Sequence, residues 1–293
     1  MRPGGFRRFG PFLCAGAVLG LAGSAPGEKI EVPTAQEIED ALPLGGTLTG
    51  REIYERFLEN KLHSAVQHLT VISSDPGGND QQTRFWVRWK DYRESKENGD
   101  GDVPEGILAK TLVKFIEPFD MRYTGYLMIL REDRESDQFV YSPSSRRIRR
   151  VNLRQASLMG TDYSFADIAY QDIEDGEYRR LPDEMIDSVP VYVVETLVKP
   201  FVHSPYYRTL VYLEKEHYIP LRIRYWDRAK VEIKEMKSEA SSIREFDGVW
   251  VATHSSMLNL LEGTSSTLLI EKLEPNPDIA DQLFSVFRLE LRR

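Results

Sequence analysis

The sequence predicts a mainly β protein, built on an antiparallel sheet or barrel with few helices. After residue 62 the apolar residues change from a helical period to alternation, as in Phe85, Val87 and Trp89. About ten such segments follow one another, and most are separated by short turn-forming links instead of helix-length ones. Short links between strands are typical of antiparallel sheets, whereas parallel sheets need long crossovers.

The first 25 residues have the three-part layout of a secretory signal peptide. Arg2, Arg7 and Arg8 precede an apolar stretch over residues 11–22, and small residues follow it. The stretch is shorter than the roughly 20 apolar residues that span a bilayer. We therefore expect an exported, periplasmic protein whose leader (1–25) is cleaved near residue 25, with no transmembrane span afterwards.

The next segment divides into a linker and one domain. Residues 26–48 are rich in Pro, Gly and Glu and predict a linker. Thr49 and Glu52 have the spacing of a capping box, which predicts the start of a helix at the head of a single domain over 49–293. We expect 151–190 to interrupt the strands, either as a lid over a site or as a structural crossover.

The composition argues against several function classes. Removal of the leader leaves 35 basic and 46 acidic residues, a net charge of about −11, so nucleic acid is a poor partner. The single cysteine, Cys14, lies in the leader, which leaves no thiolate for metal binding or catalysis. Nucleotide, hydrolase-elbow and zinc motifs are missing from the sequence, and we expect no cofactor and no metal.

Two polar features leave alternatives open. Asp162 and Asp167 could perform acid–base chemistry in an envelope hydrolase, although their spacing fits caps or hydrogen-bond partners better. A basic cluster lies on and just after the strand predicted over 146–151, and it indicates either salt-bridged strand faces or a patch for a partner or an anionic headgroup. The residues of this patch are Arg147, Arg149, Arg150 and Arg154.

Several predicted strands are apolar on both faces, as Tyr126 and Met128 alternate with Leu127 and Ile129. Such a sheet needs a cover on each side, or a cavity on one side.

The centre of the chain resembles the outer-membrane lipoprotein-sorting-protein-like family, which is related to the periplasmic lipoprotein carriers of the LolA and LolB type. The resemblance rests on residues 139–150, with an aromatic-x-Tyr-x-Pro pattern and a basic strand, and on the Gly-Thr-Asp-Tyr-Ser-Phe-x-Asp pattern over 160–167. Phe139 stands where the family pattern has Trp. The matching signature positions include Pro143, Gly160, Asp162 and Asp167.

The resemblance implies a strongly curved antiparallel sheet, a half-open β-barrel, with helices closing an apolar cavity. It also implies a non-catalytic carrier or chaperone for a lipid or the acyl chains of a lipoprotein. An adaptor that docks on an envelope exporter or outer-membrane complex is the alternative. We expect the cavity to be lined by Trp86, Phe115, Tyr126, Met128, Phe139, Tyr141, Tyr163, Phe165, Ile223, Tyr225 and Met257.

Overall fold

The computed structural model describes most of the chain after the linker. The described residues are 15–16, 48–93, 104–132, 134–152, 157–158, 160–164, 166–167, 172–202 and 204–291. The predicted leader and linker lie outside them except for residues 15, 16 and 48, and so do Arg154 and Phe165.

The described chain forms one helix, α1 (Gly50–Glu59), several single 3-10 turns and fifteen strands. The strands are β1 (Ala15–Gly16), β2 (Ser64–Ser74), β3 (Asp80–Asp91), β4 (Ile107–Glu117), β5 (Gly125–Arg131), β6 (Asp137–Ser142), β7 (Arg147–Val151), β8 (Gly176–Ile186), β9 (Val189–Val198), β10 (Tyr206–Glu214), β11 (Pro220–Asp227), β12 (Glu232–Ser238), β13 (Ile243–Phe246), β14 (Val249–Asn259) and β15 (Ser265–Pro275).

The strands make one curved sheet that does not close. Its order is β7-β6-β5-β4-β3-β2-β15-β14-β12-β11-β10-β9-β8, and every pairing along this path is antiparallel. β13 and the two-residue β1 pair with β14 beside the path. β7 and β8 are the two ends of this strand order, and the chain between them connects one edge of the sheet to the other. The sheet is therefore open, which confirms the predicted half-open fold.

The concave face can be identified from its apolar cluster. One cluster joins Phe85 and Tyr126 of the first half of the sheet to Tyr206, Tyr225 and other residues of the second half. Only the inside of a curved sheet brings such distant strands together. On the outside, two smaller clusters are each confined to one half of the sheet.

Helix α1 closes part of the concave side, as its sequence pattern indicates. Thr49 accepts from the Glu52 amide at 3.2 Å, and Glu52 accepts from the Thr49 amide at 2.7 Å, which confirms the capping box. Ile53 and Tyr54 are buried against strands β9 and β10. A Cβ at Gly50 would stand 2.6 Å from the backbone nitrogen of Arg180, so only glycine allows this approach to β8.

One expectation was wrong in extent. The segment 151–190 was expected to interrupt the strands, but β8 and the start of β9 lie within it. β8 is an edge strand with many charged residues and Pro182, so it lacks the alternation that marks a half-buried strand. Proline and charge are tolerated at an edge because one side of the backbone needs no partner there.

Candidate functional site

The concave apolar face is the candidate site, and it is the largest apolar cluster of the described residues. Alternate residues of strands from both halves of the sheet point into it, because successive side chains on a strand face opposite ways. Seven of the residues expected to line a cavity belong to it or pack against it: Phe115, Tyr126, Met128, Tyr163, Ile223, Tyr225 and Met257.

Part of the chain between β7 and β8 packs on this face. We call its described part, 157–158, 160–164 and 166–167, the insert. Leu158 and Tyr163 are buried in the concave cluster, and Ala166 packs against it. Burial raises the pKa of the Tyr163 phenol, whose Oη lies 2.6 Å from Ser255 Oγ on β14.

Asp162 fastens one end of the insert. Its carboxylate accepts hydrogen bonds from the hydroxyls of Thr264 and Ser266, the latter at 2.7 Å. Its backbone amide donates to the same Ser266 hydroxyl at 2.9 Å. Gly160, just before it, has φ of +86°, a conformation that glycine adopts without strain.

Asp167 fastens the other end through a buried ion pair. Its carboxylate lies 2.6 Å from Lys234 Nζ, and the two side chains are 3% and 11% exposed. It also accepts from the Tyr206 hydroxyl and from the amide and hydroxyl of Ser164. Burial and the neighbouring Asp167 raise the pKa of Tyr206 well above its usual value. Both aspartates therefore act as hydrogen-bond acceptors for protein groups.

Sequence reasoning missed the partners of these anchors: Ser255 and Ser266, Thr264, Tyr206 and Lys234. Lys234 had a recognisable signal, because it alternates with Met236 on the face of β12 that packs in the cluster. A lysine on such a face needs an acid. The acid lies 67 residues away along the chain, which local spacing does not reveal.

Three of the expected lining residues lie on the other side of the sheet. Trp86, Phe139 and Tyr141 belong to the outer cluster of the first half, together with Phe284 and Leu289. The C-terminal cover, residues 276–291, lies over this face. A Cβ at Gly125 would stand 2.9 Å from Leu289, so the cover fits closely on β5. The strands that are apolar on both faces thus have a cover on each side.

The basic cluster does not form one surface. In the pairing of β7 with β6, Arg147 lies beside Ser142 and Arg149 beside Val140. Arg150 lies beside Phe139, whose side chain is on the outer face. Arg147 and Arg149 are exposed. Pro143 begins the turn before them.

Arg150 belongs instead to a charge network around Asp137. Its guanidinium lies 2.6 Å from this buried carboxylate, which Arg131 and Arg134 also contact. Hydrogen bonds from Arg134 and Arg131 lower the pKa of Asp137 to about 2. The alternative of salt-bridged strand faces therefore fits the outer side of this cluster.

The described residues contain neither a metal-binding cluster nor a membrane-spanning helix. No group of three or more His, Cys, Asp or Glu side chains is placed there to hold a metal ion. Among the same residues, no helix has the length and apolar character needed to cross a bilayer.

The architecture is that of LolA-type open half-barrels. The chain matches a LolA superfamily protein from Nitrosomonas europaea at 19% identity, with a TM-score of 0.62 over 83% of this chain and 100% of that one. It matches a domain named for outer membrane lipoprotein sorting, from Vibrio parahaemolyticus, at 21% identity and a TM-score of 0.70, over 83% and 98% of the two chains. A DUF1329 family protein from Desulfovibrio piger matches at 21% identity and 0.72, over 82% and 97%.

A family model described as "Uncharacterized protein" matches residues 108–291. This segment is more than half of the chain, so the chain belongs to that family. No curated protein matches the sequence. The solved structures confirm the fold that the family resemblance predicted.

Proposed function

We propose that the protein is a non-catalytic periplasmic carrier that binds a lipid, or the acyl chains of a lipoprotein, on its concave face. It would pass this cargo between components of the envelope. One observation carries the proposal: the apolar inner face of an unclosed sheet is covered by an insert held through a few polar anchors.

Acyl-chain burial contributes a free energy of the same order as the costs of binding and of displacing such a cover. Each buried CH₂ contributes about 0.8 kcal/mol, so a C16 chain contributes roughly 13 kcal/mol before costs. Association costs about 4–15 kcal/mol, depending on the reference state. Against this gain stand the anchors at Asp162 and Asp167, because a hydrogen bond to a charged group contributes about 1.5–3 kcal/mol net. Cargo that replaces Tyr163 and Leu158 in the cluster would recover most of the apolar burial that the insert loses.

The predicted leader and the fold support a role outside the cytosol. The leader has the layout of a secretory signal, and one structural neighbour is named for outer membrane lipoprotein sorting. The proposal extends that named role to this chain.

The test is lipid analysis of protein purified from a periplasmic fraction. We expect native mass spectrometry or solvent extraction to reveal bound lipid, and delipidated protein to bind a fluorescent C16 fatty acid. Met257→Asp, which places a charge on the fully buried inner face, should abolish binding, and Leu261→Asp at an exposed turn is the matched control. Circular dichroism checks that both variants fold. Absence of lipid together with absence of fatty-acid binding contradicts the proposal.

The adaptor alternative has its own observation. Arg147 and Arg149 are exposed on the edge strand β7, where an acidic partner segment could bind. Co-purification of an envelope protein that is salt-sensitive, and lost on Arg147→Glu with Arg149→Glu, would favour the adaptor. Arg150 is unsuitable for this test because it stabilises Asp137.

The hydrolase alternative would require Asp162 or Asp167 to face a substrate. The contacts of both carboxylates instead support an anchoring role. An activity abolished by Asp162→Asn in a folded protein would be evidence for it.

A further inference from the structure

A second candidate site lies mostly on the outer face, although Phe115 of the concave cluster also lines it. A cavity of about 90 Å³ is located where β4 ends, beside the C-terminal cover. A cavity of about 150 Å³ holds benzene, and one water occupies about 30 Å³ of liquid, so this one has room for a small polyatomic ion. It is lined by Trp86, Lys114, Phe115, Ile116, Arg122, Tyr123 and Leu291.

Lys114 is a buried cation without an acidic partner among the described residues. It is 6% exposed, and its ammonium donates to the backbone carbonyls of Leu289 and Leu291, the latter at 3.1 Å. It also lies 5.8 Å from the centre of the Tyr141 ring. An ammonium has three donors, and within the described structure the third has no acceptor. Burial lowers the pKa of Lys114 to about 8.

Arg122 supplies a second cation at the same cavity. Its guanidinium lies 5.1 Å from the centre of the Tyr123 ring, and no acid of the described residues pairs with it. The cavity lining contains no carboxylate. Two cationic residues that line one cavity with no acid in the lining favour an anionic ligand.

A further cation, Arg88, contacts a residue of the cavity lining. Arg88 stacks on Trp86 at 5.0 Å, and its buried Nε has no hydrogen-bond partner. Burial and the nearby Arg288 lower the pKa of Arg88, while Glu274 acts in the opposite direction. Glu274 is therefore the acid that offsets part of this positive charge, and it does not line the cavity.

We infer that this cavity binds a phosphate group, with Lys114 and Arg122 as its cationic ligands. The phosphate is carried either by a free anion or by a lipid headgroup. For a lipid, the neighbouring Phe119, which is 89% exposed in the β4–β5 turn, would contact the apolar region of the bilayer. Both cationic ligands lie outside the acyl-chain surface, so phosphate binding can be tested independently of the carrier proposal.

The test titrates the purified chain with inorganic phosphate at constant ionic strength, against chloride, by calorimetry or amide chemical shifts. We expect saturable phosphate binding. Arg122→Gln should weaken it on the order of tenfold, because hydrogen bonds to charged groups are among the strong ones. Lys230→Gln removes an exposed cation from the β11–β12 turn and should leave phosphate binding within about twofold.

Lys114→Met provides a second variant, with thermal unfolding as its folding control, because Lys114 also holds the C-terminal cover. It should abolish phosphate binding in a folded protein. Sedimentation with phosphatidylcholine vesicles, with and without phosphatidic acid, separates the sources. Binding to the acidic vesicles that Arg122→Gln weakens identifies a headgroup, and phosphate binding without vesicle binding identifies a free anion. If neither phosphate nor vesicles bind, or if Lys230→Gln weakens binding as much as Arg122→Gln, the inference is overturned.

Discussion

The sheet carries two covers, and they are held in different ways. The insert packs one large aromatic side chain, Tyr163, on the concave face. Asp162 and Asp167, on either side of Tyr163 in the chain, hold it there through polar contacts. The C-terminal cover lies on the outer face with Phe284 and Leu289 buried, alongside Ile279. The C-terminal cover has polar contacts as well, since Asp281 accepts from Lys110 at 2.8 Å and from the Tyr92 hydroxyl at 2.7 Å. The two covers thus differ mainly in apolar burial, which is greater under the C-terminal cover.

This difference separates a removable cover from a permanent one. Hydrogen bonds to water replace lost anchors at a small net free energy, whereas exposed apolar area has no such replacement. Release of the insert should therefore open the concave face while the sheet stays folded. Loss of the C-terminal cover should destabilise the whole fold.

The largest effect is expected at the C-terminal cover. Leu289→Ala should lower the free energy of unfolding by about 2–5 kcal/mol, since Leu289 is fully buried against β5. The control is Phe287→Ala, because Phe287 is 70% exposed. This substitution should change the free energy of unfolding by less than about 0.5 kcal/mol. Urea denaturation measures both. Equal losses for the two variants would contradict the permanent-cover interpretation.

A smaller global effect is expected at the insert. Asp167→Asn removes the charge partner of the buried Lys234 and should lower the unfolding free energy by about 1–3 kcal/mol. It should also make the insert sensitive to limited proteolysis, with the sheet still resistant. Asp278→Asn, at an exposed aspartate, is the matched control. Cleavage throughout the sheet at the same rate would argue that the insert is part of the core.

The pH dependence of the unfolding free energy tests the arginine network around Asp137. Asp137 has a folded-state pKa of about 2, below its unfolded value, so its stabilisation is present above about pH 4 and is lost as pH falls towards 2. Asp137→Asn should cost about 1–2 kcal/mol at neutral pH and almost nothing near pH 2. Denaturant unfolding at several pH values checks this. A cost that does not vary with pH would exclude the arginine network as its cause.

The smallest effect concerns a single hydroxyl of the insert. Tyr163→Phe removes the hydrogen bond to Ser255 and leaves the ring in place, so we expect a loss of about 1 kcal/mol. Thermal unfolding compares it with Tyr207→Phe, whose ring is only partly buried near the surface. A loss several times larger would mean that the hydroxyl belongs to a wider buried network.

The fold was predictable from the sequence where local rules apply. Alternation identified the central strands, and the spacing of Thr49 and Glu52 identified the cap of α1. β8 was missed because an edge strand with charges and Pro182 does not need the apolar alternation that a half-buried strand shows. The curvature came from the family resemblance, since periodicity alone does not distinguish a flat sheet from a bent one.

The site was predictable only in part. Residues such as Tyr126 and Met257 lie on the concave face as expected, but Trp86, Phe139 and Tyr141 lie under the C-terminal cover. Both faces of these strands are apolar, so the sequence does not tell which one is inside. The role of any of these residues in ligand binding stays a prediction.

The most direct test of the central claim is hydrogen exchange of the insert with and without a saturating C16 fatty acid. The amides of residues 157–167 should lose protection when the fatty acid binds, while those of β2 and β15 keep theirs. That result would show cargo replacing the insert on the concave face. Fatty acid that binds without any loss of protection in the insert, or that does not bind at all, would contradict a removable cover over an acyl-chain site.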